Sequence, residues 1–558
     1  MMAKVFIKGL PSTMMDDFQL NVINLLQHAA ENYGEREIKS RKLDGKLEVF
    51  NYKTIYERVK RLANALESLG VKPTDRVGVL GFNTHRYFEA YFGISGIGAV
   101  MVEMNFRLSP EELSYIAKHS KVKVIFTDEQ LIPIVEKVND KVNSDKVVIT
   151  TDKERTPSTK ISKVYHYEDL LKSSSPNYDF PIIDEKSACF ACYTSGTTGM
   201  PKGVYYSHRA IVLHSMAVIQ AVPVNTNDAL LQLVPMFHAN GWGWPFTATM
   251  VGAKQVFPGQ YSLDNLKPII DLLINENITI SNGVPTLWIA IHNYLSSLKD
   301  KPKFNNLKVL IGGSEPPLAL IRGLREFGIE VIHGYGSTET TPLSHINIIK
   351  YYLGLSQEEY EELKSKQGIP VFPIQRKIVT PDGRDIPWDN KTIGELLERG
   401  PWVVKEYYND PRTFESFIGE GYEIWWKSGN AVTVDQYGYI KIADRLKDLI
   451  KSGGEWISSV DMENFLMAHP KVLEATVVGV PHPKWQERPL AFVVVKPEYK
   501  GNVTKEELLE HLLKRLAKWQ LPEIIFTDSI PKTSTGKFDK KLLREHYKEY
   551  FIKREIIE

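Results

Sequence analysis

Between about Leu20 and Gly400 the chain alternates helical segments with short apolar strands, and this alternation constrains the fold more than any other feature. Strands are predicted at 77–81, 123–127 and 307–312, with glycine or aspartate near their ends. Such alternation predicts α/β layers built on largely parallel sheets. A chain of 558 residues is too long for one hydrophobic core, so about three to four packing units are expected.

The composition changes after residue 400, where hairpin material rich in tryptophan, glycine and aspartate leads to Asp444-Arg445-Leu446-Lys447-Asp448. A compact module of about 110 residues follows, a length that suits a small separate domain. We predict a large α/β N-terminal domain of layered sheets and helices at 1–443, a hinge at 444–449 and a small α+β C-terminal domain at 450–558.

Local patterns predict several individual elements. The apolar stretch 91–102 contains three glycines and is shorter than the ~18 residues of a membrane span, so it predicts a buried helix that runs into a strand. Ser356, followed by acidic residues, predicts the start of a surface helix. In the C-terminal module a helix is predicted to open at 459, with strands at 473–480 and 490–495.

The charge balance argues against two classes of partner. The 69 Lys and Arg residues nearly cancel the 68 Asp and Glu residues to leave +1, so no global field marks a nucleic-acid or anionic-membrane binder. The first residues lack the apolar run and cleavage site of a signal peptide, and the last residues match no peroxisomal or lipidation tag. We expect a cytoplasmic protein without stable membrane insertion.

The two cysteines, Cys189 and Cys192, have the C-x-x-C spacing of redox and zinc sites. A zinc site needs four ligands, and the sequence has no second pair of cysteines. The surrounding residues 188–193 predict a buried strand, in which positions three apart point to opposite faces. We therefore interpret both cysteines as small core residues.

Residues 193–204, Tyr-Thr-Ser-Gly-Thr-Thr-Gly-Met-Pro-Lys-Gly-Val, form the most informative motif. Its glycines allow positive φ and close backbone approach, its hydroxyls and amides can donate to phosphate oxygens, and Lys202 adds a positive charge. It differs from the P-loop of nucleoside triphosphatases, because Met200-Pro201 separates the lysine from Gly199 and no Ser or Thr follows it. Since a predicted strand ends directly before it, the motif favours a polyphosphate cradle over an ordinary surface loop.

These residues resemble the signature loop of the adenylate-forming superfamily, which contains acyl-CoA synthetases, firefly-type luciferases and peptide-synthetase adenylation domains. Three more segments resemble motifs of that superfamily and follow in its order, at 333–340, 444–456 and 531–537. The similarity extends from about Leu20 to Arg544, which is nearly the whole chain.

Within the superfamily, the segments 234–242, 455–461 and 481–489 look most like bacterial and archaeal fatty-acyl-CoA synthetases. The resemblance implies an AMP-forming acyl-CoA synthetase, an acid–thiol ligase that makes acyl-CoA, AMP and pyrophosphate through an acyl-adenylate. It also implies Mg²⁺ as cofactor, ATP and coenzyme A as co-substrates, a small-molecule carboxylic acid as partner, and a homodimer.

Motif matches imply a role for each site residue. The residues expected at ATP or AMP are Thr194, Ser195, Gly196, Thr197, Thr198, Lys202, Gly313, His333, Gly334, Tyr335, Thr338, Asn430, Arg445, Lys447, Lys451 and Trp456. The residues expected in catalysis are Lys537, His238, Thr338 and Glu339, with Thr194 and Glu339 holding magnesium. The residues expected in the acyl pocket are His238, Ala239, Trp242, Trp244 and Ser337.

The resemblance further implies that the small C-terminal domain is mobile. After adenylation it would rotate about Lys447, withdraw Lys537 from the α-phosphate and present Gly453 and Gly454 for thioester formation. The hinge would thus separate the two half-reactions.

Asn430 departs from the family pattern, because Ser428-Gly429-Asn430 stands where Thr-Gly-Asp is usual. The amide keeps one acceptor for the ribose but loses the charge, so ATP binding should weaken by a factor of a few to about ten. The substitution leaves a non-catalytic adenylate-binding protein as an alternative. A peptide-synthetase adenylation domain is disfavoured, because His238 occupies the position of the usual acidic residue and no carrier domain follows.

Two tryptophans, Trp242 and Trp244, suggest the length of the acyl chain. A second indole beside the expected tunnel would fill volume that a long alkyl tail needs, unless it packs into the core away from the tunnel. We expect short or medium acids, with a long-chain specificity as the alternative. Ser337 and Glu315 near the expected pocket also allow a hydroxylated acid, with a solvent-facing Glu315 as the alternative.

Overall fold

The computed structural model describes residues 6–142, 146–194, 200–452, 455–533 and 537–555. The α-helices are α1 Val22–Asn32, α2 Tyr52–Ser68, α3 His85–Gly96, α4 Pro110–His119, α5 Ile132–Val142, α6 Tyr167–Ser173, α7 His208–Ala221, α8 Trp244–Met250, α9 Lys267–Asn275, α10 Pro285–Ser297, α11 Leu318–Glu326, α12 Gln357–Ser365, α13 Ser459–Met467, α14 Lys505–Leu513, α15 Lys540–Tyr547 and α16 Tyr550–Glu555.

The strands run through the whole chain. They are β1 Glu37–Arg41, β2 Leu47–Asn51, β3 Arg76–Leu80, β4 Val100–Glu103, β5 Val122–Asp128, β6 Lys146–Thr150, β7 Val164–His166, β8 Ala188–Thr194, β9 Lys202–Ser207, β10 Ala229–Leu231, β11 Lys254–Phe257, β12 Ile280–Gly283, β13 Leu307–Ile311, β14 Ile329–Gly336, β15 Leu343–Ile346, β16 Ile369–Pro370, β17 Gln375–Val379, β18 Gly394–Arg399, β19 Phe417–Ile418, β20 Trp425–Val434, β21 Ile440–Arg445, β22 Ile450–Ser452, β23 Glu455–Ile457, β24 Val472–His482, β25 Gln486–Val495 and β26 Glu523–Phe526.

Two large, mostly parallel sheets form the body of the molecule, as the alternation of elements predicts. One has the order β7-β6-β5-β3-β4-β8-β9, parallel except for the last pair. The other has the order β16-β15-β14-β13-β12-β10-β11-β1-β2, with antiparallel pairs at its two ends. The predicted mixed α/β fold class is confirmed.

Two smaller sheets follow along the chain. An antiparallel sheet has the order β17-β18-β20-β19, with β21 also paired to β20. The sheet of the C-terminal region has the order β23-β22-β25-β24, and β26 runs parallel to β25. The helix predicted at 459 and both strands predicted beside it are present as α13, β24 and β25.

Local signals account for several elements. The stretch 91–102 is the end of the buried helix α3 followed by β4, as predicted. Ser356 caps α12 through a capping box with Glu359. Cys189 and Cys192 are free and buried on β8, which confirms them as core residues. No helix in the part of the chain that the structure describes is long and apolar enough to cross a membrane.

Candidate active site

The antiparallel pair β8 and β9 brackets the predicted phosphate loop. Thr194 ends β8 directly opposite Lys202, the first residue of β9. Residues 195–199 lie outside the described residues, and with them the predictions for Ser195, Gly196, Thr197 and Thr198. The two residues that flank the loop are thus fixed by one register of paired strands.

Lys202 and Glu339 lie on either side of Tyr407. The Nζ atom of Lys202 is 3.1 Å from Ser416 Oγ and 4.4 Å from the centre of the Tyr407 ring. The Tyr407 hydroxyl donates to Glu339 Oε1 at 2.8 Å. Burial raises the pKa of Glu339 and lowers the pKa of Lys202. Sequence reasoning missed this tyrosine, because it belongs to none of the motifs.

Two glycines after β13 mark the point where distant parts of the chain meet. A β-carbon on Gly312 would lie 3.3 Å from the indole of Trp242 and 2.8 Å from the carbonyl oxygen of Gly334. A β-carbon on Gly313, whose φ is +85°, would lie 3.4 Å from Cε of Lys537. The lysine predicted to be catalytic and the tryptophan predicted to line the acyl pocket therefore converge on the same short loop.

Lys537 reaches this loop from the C-terminal region. Its backbone is paired with Thr533, since Thr533 N–H donates to the Lys537 carbonyl at 2.7 Å. Burial and the nearby Arg445 guanidinium lower the pKa of Lys537 to about 8, while Glu339 opposes the shift. The side chain thus sits between a cation and a carboxylate that both belong to predicted motifs.

A small set of polar contacts, here called the C-terminal contact surface, joins α13 to the body of the molecule. It consists of Glu315, Gln367, Lys441, Asp461 and Asn464. Asn464 Nδ2 donates to Glu315 Oε1 at 2.7 Å, and Gln367 Nε2 donates to Glu315 Oε2 at 3.3 Å. Lys441 forms an ion pair with Asp461.

Glu315, expected near the acyl pocket or facing solvent, is bonded to Gln367 and Asn464. Both of its carboxylate oxygens accept hydrogen bonds within the C-terminal contact surface, so the side chain serves the junction with α13. Burial raises its pKa to about 7, with Asp461 adding to the shift and Lys441 opposing it.

His238 and the next five residues form an unusual backbone segment, here called the left-handed turn. From Ala239 to Gly243 the φ angles are 41°, 54°, 57°, 62° and 76°. Left-handed φ is unfavourable for residues other than glycine, and Ala239, Asn240 and Trp242 all adopt it. This geometry turns the chain sharply between His238 and the start of α8.

The left-handed turn carries His238 and Trp242 and leads directly to Trp244. Burial, with the charges of Lys537 and Arg107, lowers the pKa of His238 to about 4, so the imidazole is neutral at pH 7. Trp242 and Trp244 are 8% and 1% exposed and share one hydrophobic cluster with residues of α7. The structure therefore places both indoles in one buried cluster.

The predicted adenine and ribose residues meet where the ends of β14 and β21 lie beside the middle of β20. Asn430 Nδ2 donates to the Tyr335 hydroxyl at 2.7 Å, and Asn430 is paired with Arg445 across the ladder. His333 and Gly334 belong to the same strand as Tyr335, with the His333 ring buried against the Ser365 carbonyl.

Thr338 and Ser337 occupy a short helical turn beside Glu339. The Thr338 carbonyl accepts from the Tyr206 hydroxyl at 2.7 Å, and Ser337 N–H donates to Thr340 Oγ1 at 2.9 Å. This places both residues next to the Lys202 and Tyr407 group.

Two lysines predicted in the hinge and its following loop lie at the surface. Lys447 and Lys451 are exposed, and Lys451 N–H donates to a Glu487 carboxylate oxygen at 3.0 Å. Gly453 and Gly454 lie outside the described residues, as does the side chain of Trp456. The arrangement described here is therefore the one with Lys537 at the site.

Two family models match the chain. The model described as AMP-binding enzyme matches residues 26–408, and the model described as AMP-binding enzyme C-terminal domain matches residues 461–537. Together they cover the body of the molecule and most of the C-terminal region.

Relatives resemble the chain over nearly their whole lengths. A long-chain-fatty-acid–CoA ligase of Thermus thermophilus is 45% identical over 547 residues, 97% of this chain and 98% of the relative. A 3-methylmercaptopropionyl-CoA ligase of Ruegeria lacuscaerulensis is 38% identical over 537 residues, 95% of this chain and 98% of the relative. The crystal structure of an anthranilate CoA ligase in complex with anthranoyl-AMP has the same fold, with a TM-score of 0.83 at 24% identity over 96% of this chain and 99% of the other.

Proposed function

The chain belongs to the family of AMP-binding enzymes, and we propose that it converts a carboxylic acid, ATP and coenzyme A into acyl-CoA, AMP and pyrophosphate. This is the reaction of an acid–thiol ligase. The observation that carries the proposal is the convergence of Lys537, Trp242 and the Gly312–Gly313 loop beside Glu339.

The chemistry requires two steps because a carboxylate is a poor electrophile. Attack of the carboxylate oxygen on the α-phosphorus of ATP forms an acyl-adenylate and expels pyrophosphate. The thiolate of coenzyme A then attacks the acyl carbon and expels AMP. Both steps depend on positioning and on neutralisation of charge at phosphate.

Cationic groups would neutralise the phosphates in the first step. Lys202, beside the phosphate loop, would contact the departing pyrophosphate together with Ser195, Gly196, Thr197 and Thr198. Lys537 and Thr338 would contact the α-phosphate. A lysine with a pKa of about 8 remains largely protonated at pH 7, as this role requires.

Magnesium would bind between Thr194 and Glu339. One hydroxyl and one carboxylate suit an ion that prefers oxygen ligands and keeps several waters and phosphate oxygens. Across the ranges that the structure describes, no three His, Cys, Asp or Glu side chains gather as a metal site, so a cage of protein ligands is not the arrangement proposed. The ion would supply charge neutralisation for the β- and γ-phosphates.

The nucleoside would lie against β14 and β20. Tyr335 would stack on adenine, the backbone of Gly313, His333 and Gly334 would line the base, and Asn430 would accept from the ribose. Arg445, which faces Asn430 across the ladder, would contact the ribose or the phosphate. The hydrogen bond from Asn430 to Tyr335 supports this placement, because it joins the two groups expected on either side of the nucleoside.

The acid would bind beside the left-handed turn, with His238 near the reacting carboxylate. Because His238 is neutral, it would not stabilise the substrate carboxylate with a positive charge before the reaction. The residues Ala239, Trp242, Trp244 and Ser337 would surround the acyl group. We propose short or medium acids, including hydroxylated ones, on the ground that two buried indoles fill this region. The long-chain alternative has support in the Thermus relative.

Thioester formation would follow rotation of the C-terminal region. We propose a domain boundary at 444–449 with Lys447 as the pivot, supported by the end of β21 at Arg445 and the start of β22 at Ile450. Gly453 and Gly454 would then form the second-step loop, with Lys451 and Trp456 at nucleotide or coenzyme A.

The test is an assay of pyrophosphate, AMP and acyl-CoA with ATP, Mg²⁺, coenzyme A and a panel of butyrate, 4-hydroxybutyrate, hexanoate, dodecanoate and palmitate. We expect acid-dependent formation of all three products. Nucleotide binding without pyrophosphate release would favour the alternative, a non-catalytic adenylate-binding protein, for which Asn430 is the supporting observation.

We also propose a cytoplasmic homodimer. Exposed apolar side chains near the start of the chain support self-association, namely Phe6, Ile7, Leu10, Met14, Met15 and Phe18. Light scattering of the purified protein measures the mass directly, and a monomer at all concentrations contradicts the dimer.

A further inference from the structure

The left-handed turn needs an explanation, because nothing in its own sequence makes five consecutive left-handed residues favourable. Only two of the five, Gly241 and Gly243, are glycines. The turn nevertheless sets the position of His238 at one end and packs the Trp242 indole against Gly312. Neighbouring groups must therefore hold it in place.

The side chain that holds it is Glu103, the last residue of β4. Its carboxylate is 2% exposed and accepts three hydrogen bonds. Asn240 Nδ2 donates to Oε1 at 2.6 Å, and Asn240 N–H donates to Oε2 at 3.2 Å. Cys192 Sγ, on β8, donates to the same Oε2 at 2.8 Å.

We propose that Glu103 is a positioning residue for the acid-binding half of the active site. It accepts hydrogen bonds from both the backbone N–H and the side chain of Asn240, and so fixes the left-handed turn that carries His238 and Trp242. Through Cys192 it ties this turn to β8, which ends two residues later at Thr194. The inference rests on the proposed function.

A second group holds the turn without an ionisable side chain. Gln232 Nε2 donates to the Gly241 carbonyl at 3.0 Å, and its own Oε1 accepts from Asn282 Nδ2 at 2.9 Å. Burial raises the pKa of Glu103 to about 8, although all three of its hydrogen bonds favour the ionised form.

The decisive experiment is an exchange of the two polar partners. In Glu103→Gln, the nitrogen of the new amide replaces an acceptor oxygen and therefore faces a hydrogen-bond donor. In Asn240→Asp, two carboxyl groups face each other. In the double variant the glutamine nitrogen donates to the aspartate, while its carbonyl oxygen accepts from the residue 240 N–H and from Cys192. Aspartate also tolerates the left-handed conformation, so the backbone preference is kept.

We expect each single variant to raise the KM for the best acid of the panel by about tenfold or more, with the KM for ATP changed by less than about twofold. The double variant should recover about tenfold in kcat/KM for the acid over either single variant. A double variant as poor as the product of the two singles overturns the proposal. If the wild-type chain releases no pyrophosphate with any acid, the proposed function itself fails, which is a distinct result.

Glu89→Gln is the matched control. Glu89 is also a fully buried carboxylate, bonded to Arg58 and Tyr167 away from the left-handed turn. It should lower the melting temperature without changing the KM for the acid, and an equal rise in that KM would reduce Glu103 to a general structural role. If Glu103→Gln does not fold, Asn240→Gly removes the side chain with its Nδ2 donor, but keeps the backbone N–H donor and the left-handed freedom. An unchanged KM for the acid in that variant also overturns the proposal.

Discussion

The left-handed turn and the C-terminal contact surface are both polar, but they are built in opposite ways. The turn is held by buried side chains, among them Glu103 at 2% exposure and Gln232 and Asn282 at 0%. In the contact surface, the Lys441 and Asp461 side chains that pair across it are 28% and 32% exposed. Breaking the first arrangement would strand buried polar groups, whereas water can replace the Lys441–Asp461 pair of the second.

The difference supports the proposal that the acid-binding half of the site is fixed and that the C-terminal region moves. Polar and partly hydrated interfaces within a chain permit relative motion of the parts they join. Acid binding is therefore expected to depend on the rigid left-handed turn. The position of Lys537 is expected to depend on the C-terminal contact surface, which would form and break reversibly. Each prediction below tests one side of this comparison.

The largest effect is expected from Lys537→Ala. Loss of the charge at the α-phosphate should lower adenylation, measured as acid-dependent pyrophosphate release, by about a thousandfold. Thioester formation from a supplied acyl-adenylate should stay within about threefold of wild type, since no pyrophosphate leaves in that step. Lys532→Ala is the control, because Lys532 lies in the same motif but pairs with Glu474 at 2.6 Å. Equal loss of both half-reactions would contradict the proposed role of Lys537.

The next effect is expected from Lys447→Pro. Proline fixes φ near −65°, so rotation about the proposed pivot should be hindered. Thioester formation should fall about tenfold or more relative to adenylation, as measured in single-turnover assays of each step. Lys447→Ala removes the exposed side chain and leaves the backbone free, and it should preserve the ratio of the two rates. A parallel loss of both rates in the proline variant would show that the hinge lies elsewhere.

Glu315 makes the moving contact sensitive to pH. Its pKa is raised by burial from 4.5 to about 7, so docking of α13 takes up a proton when the pH lies between these values. The docked arrangement is therefore penalised as pH rises through 7, and lowering the pH from 8 to 6 should favour it by up to about tenfold. The ratio of adenylation to thioester formation measures this shift. Glu315→Gln, which cannot titrate, should make this ratio independent of pH. An unchanged pH dependence in the variant would show that Glu315 does not control the contact.

Sequence reasoning predicted the fold well because each strand carries its own signal. The strands expected at 77–81, 123–127 and 307–312 are observed at Arg76–Leu80, Val122–Asp128 and Leu307–Ile311. These are short apolar runs whose burial on both faces leaves few other conformations. What the sequence does not carry is the angle at which separate sheets meet, which depends on packing between distant segments.

The candidate site was predictable only where a motif names the residue. Motifs name Lys537, Glu339 and Trp242, and the structure places Lys537 and Trp242 against one loop. Glu103 was missed, because a single acidic residue at a strand end has no local pattern and its partner Asn240 is 137 residues away. The partners of Glu315 were not predicted for the same reason, since they are set by tertiary contacts.

A smaller effect is expected from Asn430→Asp on the nucleotide side. A carboxylate would accept the ribose hydroxyls more strongly than the amide, so the KM for ATP should fall by a factor of a few to about ten. Asn430→Ser keeps a neutral acceptor and should not lower the KM. An unchanged KM in the aspartate variant would show that the hydrogen bond to Tyr335, and not the ribose, accounts for this residue.

The smallest effect is expected on the preferred acyl length, because substitution of Trp244 changes only the volume of a side chain beside the left-handed turn. Trp244 is 1% exposed at the start of α8 and shares a cluster with Trp242. Each methylene that gains room is worth about 0.8 kcal/mol, close to fourfold in kcat/KM, whereas overpacking costs about 1–3 kcal/mol. The series Trp244→Phe, Trp244→Leu and Trp244→Ala should therefore move the preferred acid stepwise toward longer chains, as measured by kcat/KM across the acid panel. If the three variants lose stability in that order while the preferred length stays the same, Trp244 packs the core away from the acyl group. A wild-type optimum at palmitate would refute the steric argument itself, since two indoles would then leave room for a long tail.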